Sequence, residues 1–104
     1  MNAKNNKEKF ELISTACASD DSPEKILNLF DKNFSINEKS EDGRTPLMIS
    51  ATWGSSSVMK FLLKKGADKT IKCNDGNDVF YYIKNSSFPR DEDKKEMLSV
   101  LKKN

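Results

Sequence analysis

The 104 residues carry 18 basic and 16 acidic side chains, no histidine and two cysteines, with 36% apolar and 33% charged residues. A chain of this length supports one small core, and its charges nearly cancel with the lysines spread along it, which disfavours both an elaborate active site and a nucleic-acid-binding face. The apolar residues fall in clusters at helical spacing, and this separates the chain from disordered sequences of similar hydrophilicity.

Phe10, Ile13, Ala16 and Cys17 lie on one face of a first predicted helix. The run Leu12 to Cys17 distantly resembles a lipoprotein cleavage box, but Glu11 interrupts it and the apolar stretch is too short for a signal-peptide core, so an ordinary helix is expected. Ser22-Pro23 opens a second helix expected to bear Ile26, Leu27, Leu29 and Phe30, followed by Asn33, a residue tolerant of left-handed backbone. Next, Thr45 is the cap of a short helix with Pro46 at its first position, where a missing N–H costs nothing, and Gly54 ends it. Ser55 to Ser57 offer caps for a fourth helix, whose stripe of Val58, Met59, Leu62 and Leu63 runs to Gly66. A third pair starts at Val79 and finishes on Met97, Leu98, Val100 and Leu101. The longest apolar run, Val79 to Ile83, is far short of a membrane span.

The pairs repeat. Asp42-Gly43 recurs 33 residues later as Asp75-Gly76, which places Leu47 on Phe80. Leu62-Leu63-Lys64-Lys65-Gly66 matches Leu29 to Asn33 at the same interval, and matches Val100 to Asn104 after five extra residues placed within Ser86 to Asp93. A fixed period of this length indicates stacked supersecondary units, here about 7–41, 42–74 and 75–104 of a single domain 1–104.

The middle copy, Asp42-Gly43-Arg44-Thr45-Pro46-Leu47-Met48-Ile49-Ser50-Ala51 followed by Gly54 and Leu62-Leu63-x-x-Gly66-Ala67-Asp68, resembles an ankyrin repeat, with degenerate copies on either side. The resemblance implies an all-α ankyrin-repeat solenoid of three helix-turn-helix units, its terminal copies acting as caps with a polar outer face. Two departures have consequences. The family's usual histidine, which hydrogen-bonds across neighbouring turns, is replaced by Met48 and one repeat later by Tyr81, so apolar packing is expected there and the turns lose one source of rigidity. Lys84 stands where a small alanine is usual, so the last copy is expected to open toward solvent.

Catalysis has little to work with. Without histidine the ordinary Ser-His and Cys-His nucleophiles are excluded, Cys17 reads as a small buried residue, and Cys73 as a semi-exposed thiol without a role. Two cysteines without paired spacing make neither a disulfide scaffold nor a zinc site, and a reducing, cytoplasmic setting is expected. Asp91-Glu92-Asp93 suits the positive end of a helix better than a metal. Gly43 and Gly76 are too far apart for a phosphate-cradling loop. No enzyme activity, catalytic residue, cofactor or metal is expected.

What the resemblance implies instead is a binding module that holds a partner protein on a concave face built from turn tips and first helices. The matching positions are Lys39, Glu41, Asp42, Arg44, Thr52 and Trp53, then Lys72, Asn74, Asp75, Asn77, Tyr81 and Asn85. Of these, Asp42, Arg44, Thr52, Trp53, Asp75, Asn77, Tyr81 and Asn85 form the candidate partner-binding set. Trp53 is its sharpest member, because tryptophan is favoured among binding hot spots. The alternative is that its indole folds over Met48 or Lys84 within the stack. The expected role is an adaptor; the alternative is a stand-alone inhibitor, such as a bacterial immunity protein that occludes a toxin or enzyme. The expected partner is another protein, not nucleic acid or membrane, with the free chain a monomer.

Overall fold

The computed structural model describes residues 5–19 and 23–103. Among the described residues six helices succeed one another: α1 (Asn6–Ala18), α2 (Glu24–Leu27), α3 (Pro46–Trp53), α4 (Ser56–Lys64), α5 (Val79–Asn85) and α6 (Asp91–Lys103). Each pair folds back on itself, and the pairs stack so that α3 stands between α1 and α5 while α4 packs on α6. The described residues form no sheet, only an isolated antiparallel bridge between Asp31 and Phe34. This is the architecture of a short ankyrin solenoid.

Local rules start and stop most of the helices. Asn5 and Glu8 form a capping box at α1, the Asn5 side chain accepting from the Glu8 N–H while Glu8 accepts from the Asn5 N–H. Thr45 Oγ1 accepts from the Met48 N–H ahead of Pro46, and Gly54 closes α3 at φ 73°. Asp78 replaces threonine as the cap of α5, accepting from the Tyr81 N–H. The acidic first turn of α6, Asp91 to Asp93, and its basic last turn, Lys102 and Lys103, both complement the helix dipole.

Burial explains why α3 can sit at the centre. Six consecutive residues, Pro46 to Ala51, are buried, a pattern that suits only a helix covered on all sides. Met48 packs by apolar contact as expected and is 1% exposed. In the same core, Ile13, Val58, Met59, Leu62, Ile83, Met97 and Leu101 are fully buried. Lys84 is exposed, so the third pair does open to solvent there, and its carbonyl accepts from Lys94 Nζ.

The first pair departs from its sequence pattern. The second helix expected to carry Ile26, Leu27, Leu29 and Phe30 is a single turn, Glu24–Leu27, in which Ile26 alone is buried and Leu27 is 42% exposed. Leu29 and Phe30 lie beyond it; Ser22, the expected cap, lies outside the described residues, as does Asn104 at the end of the last copy. A cluster of three rings takes the place of the missing turns. Phe34, fully buried, meets Phe10 edge-on at 5.2 Å and stacks with Phe30 at 5.4 Å. Burying one such side chain contributes roughly 1.5–3 kcal/mol, more than a turn of exposed helix supplies.

Candidate functional site

Two turns of identical design project from the stack, 33 residues apart. In the first, the Ser40 N–H donates to the Arg44 carbonyl and the Gly43 N–H to the Ser40 carbonyl; in the second, the Cys73 and Gly76 N–H groups bond the Asn77 and Cys73 carbonyls in the same way. Asn74 ties the two together. Its backbone N–H donates to the Asp42 carbonyl at 3.0 Å and its side-chain amide to the Glu41 carbonyl at 2.9 Å. The rigidity that a histidine at position 48 would have lent is therefore supplied from the tip itself. Gly43 makes the approach feasible: a Cβ there would lie 2.7 Å from the Asn74 nitrogen.

At the first tip Asp42 is exposed and accepts a short hydrogen bond from the Ser40 hydroxyl, which, with Arg44 nearby, holds its carboxyl below the ordinary range. Arg44, half-buried, lies with Nε 3.1 Å from Asp42 Oδ2. At the second tip Asp75 is exposed and Asn77 half-buried. Here the structure corrects the reading of Cys73. The thiol is buried rather than semi-exposed, because Tyr82 covers it and donates its hydroxyl to Sγ at 3.1 Å. That bond lowers the Cys73 pKa, while burial raises that of Tyr82.

Behind the tips stand the first helices. Thr52, half-buried, spends its hydroxyl on the Met48 carbonyl. Tyr81 is 44% exposed with its ring edge-on to Tyr82, and Asn85 is exposed, its amide returned to the Tyr81 carbonyl. All eight candidate residues thus belong to the tips or to α3 and α5. The structure adds α1. An open groove of about 970 Å³ runs between α1 and the first tip, floored by Phe10 and Ile49 and edged by Glu11, Ser14, Thr15, Lys39 and Arg44. Thr15 lies two periods of 33 before Tyr81, so the repeat itself points to this groove residue.

Trp53 is packed in part against the core and in part open. Its indole is half-buried, and the ring against it belongs to Phe88, with centroids 4.4 Å apart and planes at 39°. Phe88 lies in the segment between α5 and α6, where the five extra residues of the third copy fall, and is 64% exposed. Next to it Pro89 is buried and fills the space over Gly54, where a Cβ would meet Pro89 Cα at 3.0 Å. A smaller cleft on the other flank of Trp53 is lined by Ser14, Thr15, Ala18 and Ser19.

Cys17, 3% exposed, is pushed up to about 12 by burial and faces the Ser55 hydroxyl, so it is a protonated thiol at neutral pH. Among the described residues no group of three or more Cys, Asp or Glu side chains converges to hold a metal, and no helix is long and apolar enough to cross a membrane.

Comparison with known proteins agrees with this geometry. Residues 1–83 match the family model described as ankyrin repeats in three copies. An ankyrin repeat-containing protein of Schizosaccharomyces pombe is 31% identical over 64 residues, 62% of this chain and 31% of that protein. Phosphocholine transferase AnkX of Legionella pneumophila is 40% identical over 43 residues, 41% of this chain and 4% of the transferase. The chain therefore spans less than a third of these curated relatives. Among solved structures, a chain from the predatory endopeptidase Bd0816 of Bdellovibrio bacteriovorus in complex with immunity protein Bd3460 is similar at a TM-score of 0.68 and 27% identity, over 88% of this chain and 45% of that one.

Proposed function

The chain belongs to the ankyrin-repeat family, and from that premise we propose that it is a non-catalytic module that grips a partner protein between its turn tips and first helices. One observation carries this reading: α1, α3 and α5 stand in a row behind two mutually tied tips, and the surface they present combines a groove floored by Phe10 and Ile49 with the half-buried Trp53 and the exposed Tyr81. Aromatic side chains on a rigid, otherwise polar surface are the usual composition of a binding hot spot and its rim. The contacting set is Asp42, Arg44, Thr52 and Trp53 from the middle unit with Asp75, Asn77, Tyr81 and Asn85 from the last. The free chain is a monomer of one domain, with units at 7–41, 42–74 and 75–104, working in the cytoplasm.

The adaptor and the inhibitor use the same face. The similarity to a chain of the endopeptidase–immunity protein complex favours the second reading, in which the face occludes an enzyme. The test is retention of partner on the immobilised protein from an extract of its own cells, quantified for wild type, Arg44→Glu and Tyr81→Ala. Each substitution should lower retention of the same protein by about tenfold, with melting unchanged. Equal retention by all three chains would sink the concave-face reading. Relief of a neighbouring gene product's toxicity by this chain separates inhibitor from adaptor.

A further inference from the structure

The near-neutral total hides a sorting of charge within the fold. Residues 55–67 hold three lysines and no acid, and residues 94–103 hold four lysines with Glu96 as their one acid. These two stretches therefore carry +6 and the remainder of the +2 chain −4. The fold joins them, because α4 and α6 pack on each other outside the row of α1, α3 and α5. Glu96 is already matched by Lys60, whose Nζ lies 2.7 Å from Oε2. Lys64, Lys65, Lys95, Lys102 and Lys103 are all exposed, and no carboxylate among the described residues pairs with them. Lysines gathered in this way repel one another, and a ligand of opposite charge relieves the repulsion.

Two hollows open within this field of lysines. One of about 450 Å³ has Phe61 and Val100 between Lys60 and Lys64; the other, of about 470 Å³ on α6, has Leu98 among Lys95, Ser99, Lys102 and Lys103. The three apolar side chains are half-buried, so they form floors rather than projections, and Lys65 Nζ lies over the Phe61 ring at 5.8 Å.

We propose that the α4–α6 face is a second docking surface, taken by an acidic protein segment whose aspartates and glutamates meet the lysines while its apolar side chains enter the two hollows. This face lies apart from the concave one and needs neither the turn tips nor the first helices. Its recessed floors favour a peptide over other polyanions. Insertion into a bilayer requires apolar side chains that project, not ones that lie below a rim of lysines. Nucleic acids are gripped by exposed rings that stack on bases or by arginine forks on phosphate, whereas the cations here are all lysines and the Phe61 ring is half-buried. A flexible lysine stem, by contrast, delivers a point charge to a carboxylate without demanding one geometry.

The experiment selects short random peptides from a display library on the immobilised full chain and titrates the best binder by calorimetry. Selected peptides should be rich in aspartate and glutamate, with leucine, isoleucine or phenylalanine between them. Lys64→Glu combined with Lys95→Glu, one lysine from each hollow, should weaken the best peptide by at least about tenfold, with melting close to wild type. Replacing the peptide's own apolar residues by serine should weaken it comparably on the unaltered protein, and Tyr81→Ala should leave its affinity unchanged. Enrichment of neutral or basic peptides, or no enrichment, would overturn the proposal. Full affinity of the serine peptide would remove the hollows from it, and loss with Tyr81→Ala would move the acidic segment to the concave face; either result sinks a second docking surface of this kind. Vesicles of phosphatidylserine and phosphatidylcholine, or a short single-stranded RNA, that bind more tightly than the peptide and displace it would assign the face to a membrane or to nucleic acid instead.

Discussion

The first and middle helix pairs solve one problem in different ways. The middle pair, α3 and α4, has neighbours on both sides and follows its sequence pattern closely: Thr45, Pro46 and Gly54 delimit one helix, and Val58, Met59 and Leu62 bury the other. Among the described residues the first pair packs on the middle one through α1 against α3, and its second helix shrinks to Glu24–Leu27 while Phe10, Phe30 and Phe34 fill the corner. A stacked helix is held by tertiary cover more than by its own propensity. Where cover is missing, a compact aromatic plug with one bridge between Asp31 and Phe34 is the better arrangement.

Removing that cover from the middle pair should have the largest effect. Deleting residues 75–104 uncovers the side of α3 that packs on α5, and the product should be unfolded or aggregating by circular dichroism and light scattering. A soluble truncation that melts cooperatively would show that two pairs suffice. If the plug truly replaces a helix, Phe34→Ala should cost about 3–5 kcal/mol by urea titration, as much as a central core residue. A cost below about 1 kcal/mol would demote the first pair to a frayed end.

Glycines sharpen the contrast between buried and open tips. Gly43 and Gly76 occupy equivalent positions at the same φ of 83°, yet a Cβ at Gly76 meets nothing within 4 Å, whereas at Gly43 it meets Asn74. Gly76→Ala should cost about 1–2 kcal/mol from left-handed strain alone, and Gly43→Ala distinctly more, by thermal melting. Equal costs would mean that the Asn74 contact yields easily. The smallest difference concerns two caps. Thr45→Ala should lose about 1 kcal/mol, whereas Ser55→Ala should be close to neutral, because the buried Ser55 hydroxyl makes no cap bond.

What could be read from the sequence follows the range of the forces involved. The Thr45 cap, Pro46, the left-handed Gly54 and the stripe of α4 obey rules that span a few residues and stand as expected, whereas Ser55 heads α4 without a side-chain cap bond. The Ile26, Leu27, Leu29 and Phe30 spacing also fits a helix, but the competitor that ends it is a tertiary cluster with Phe10 and Phe34, which no window of local pattern contains. Cys73 misled for the same reason, its cover arriving with Tyr82 nine residues on. Phe88 had no counterpart one period away, so the repeat that exposed the other candidates was silent about it. The α1 side of the groove is legible in part, since Thr15 stands one period before Met48 and two before Tyr81.

The clasp made by Asn74 has a further consequence. Both oxygens it holds, those of Glu41 and Asp42, are main-chain atoms, which every amino acid provides. The Glu41 side chain therefore takes no part in the clasp, and substitutions there can retune charge and shape at the rim, whereas the Asp42 carboxylate still accepts from the Ser40 hydroxyl and pairs with Arg44. A scaffold whose tips are fastened by backbone and displayed by side chain is open to change of partner under selection, and equally to deliberate regrafting at Glu41.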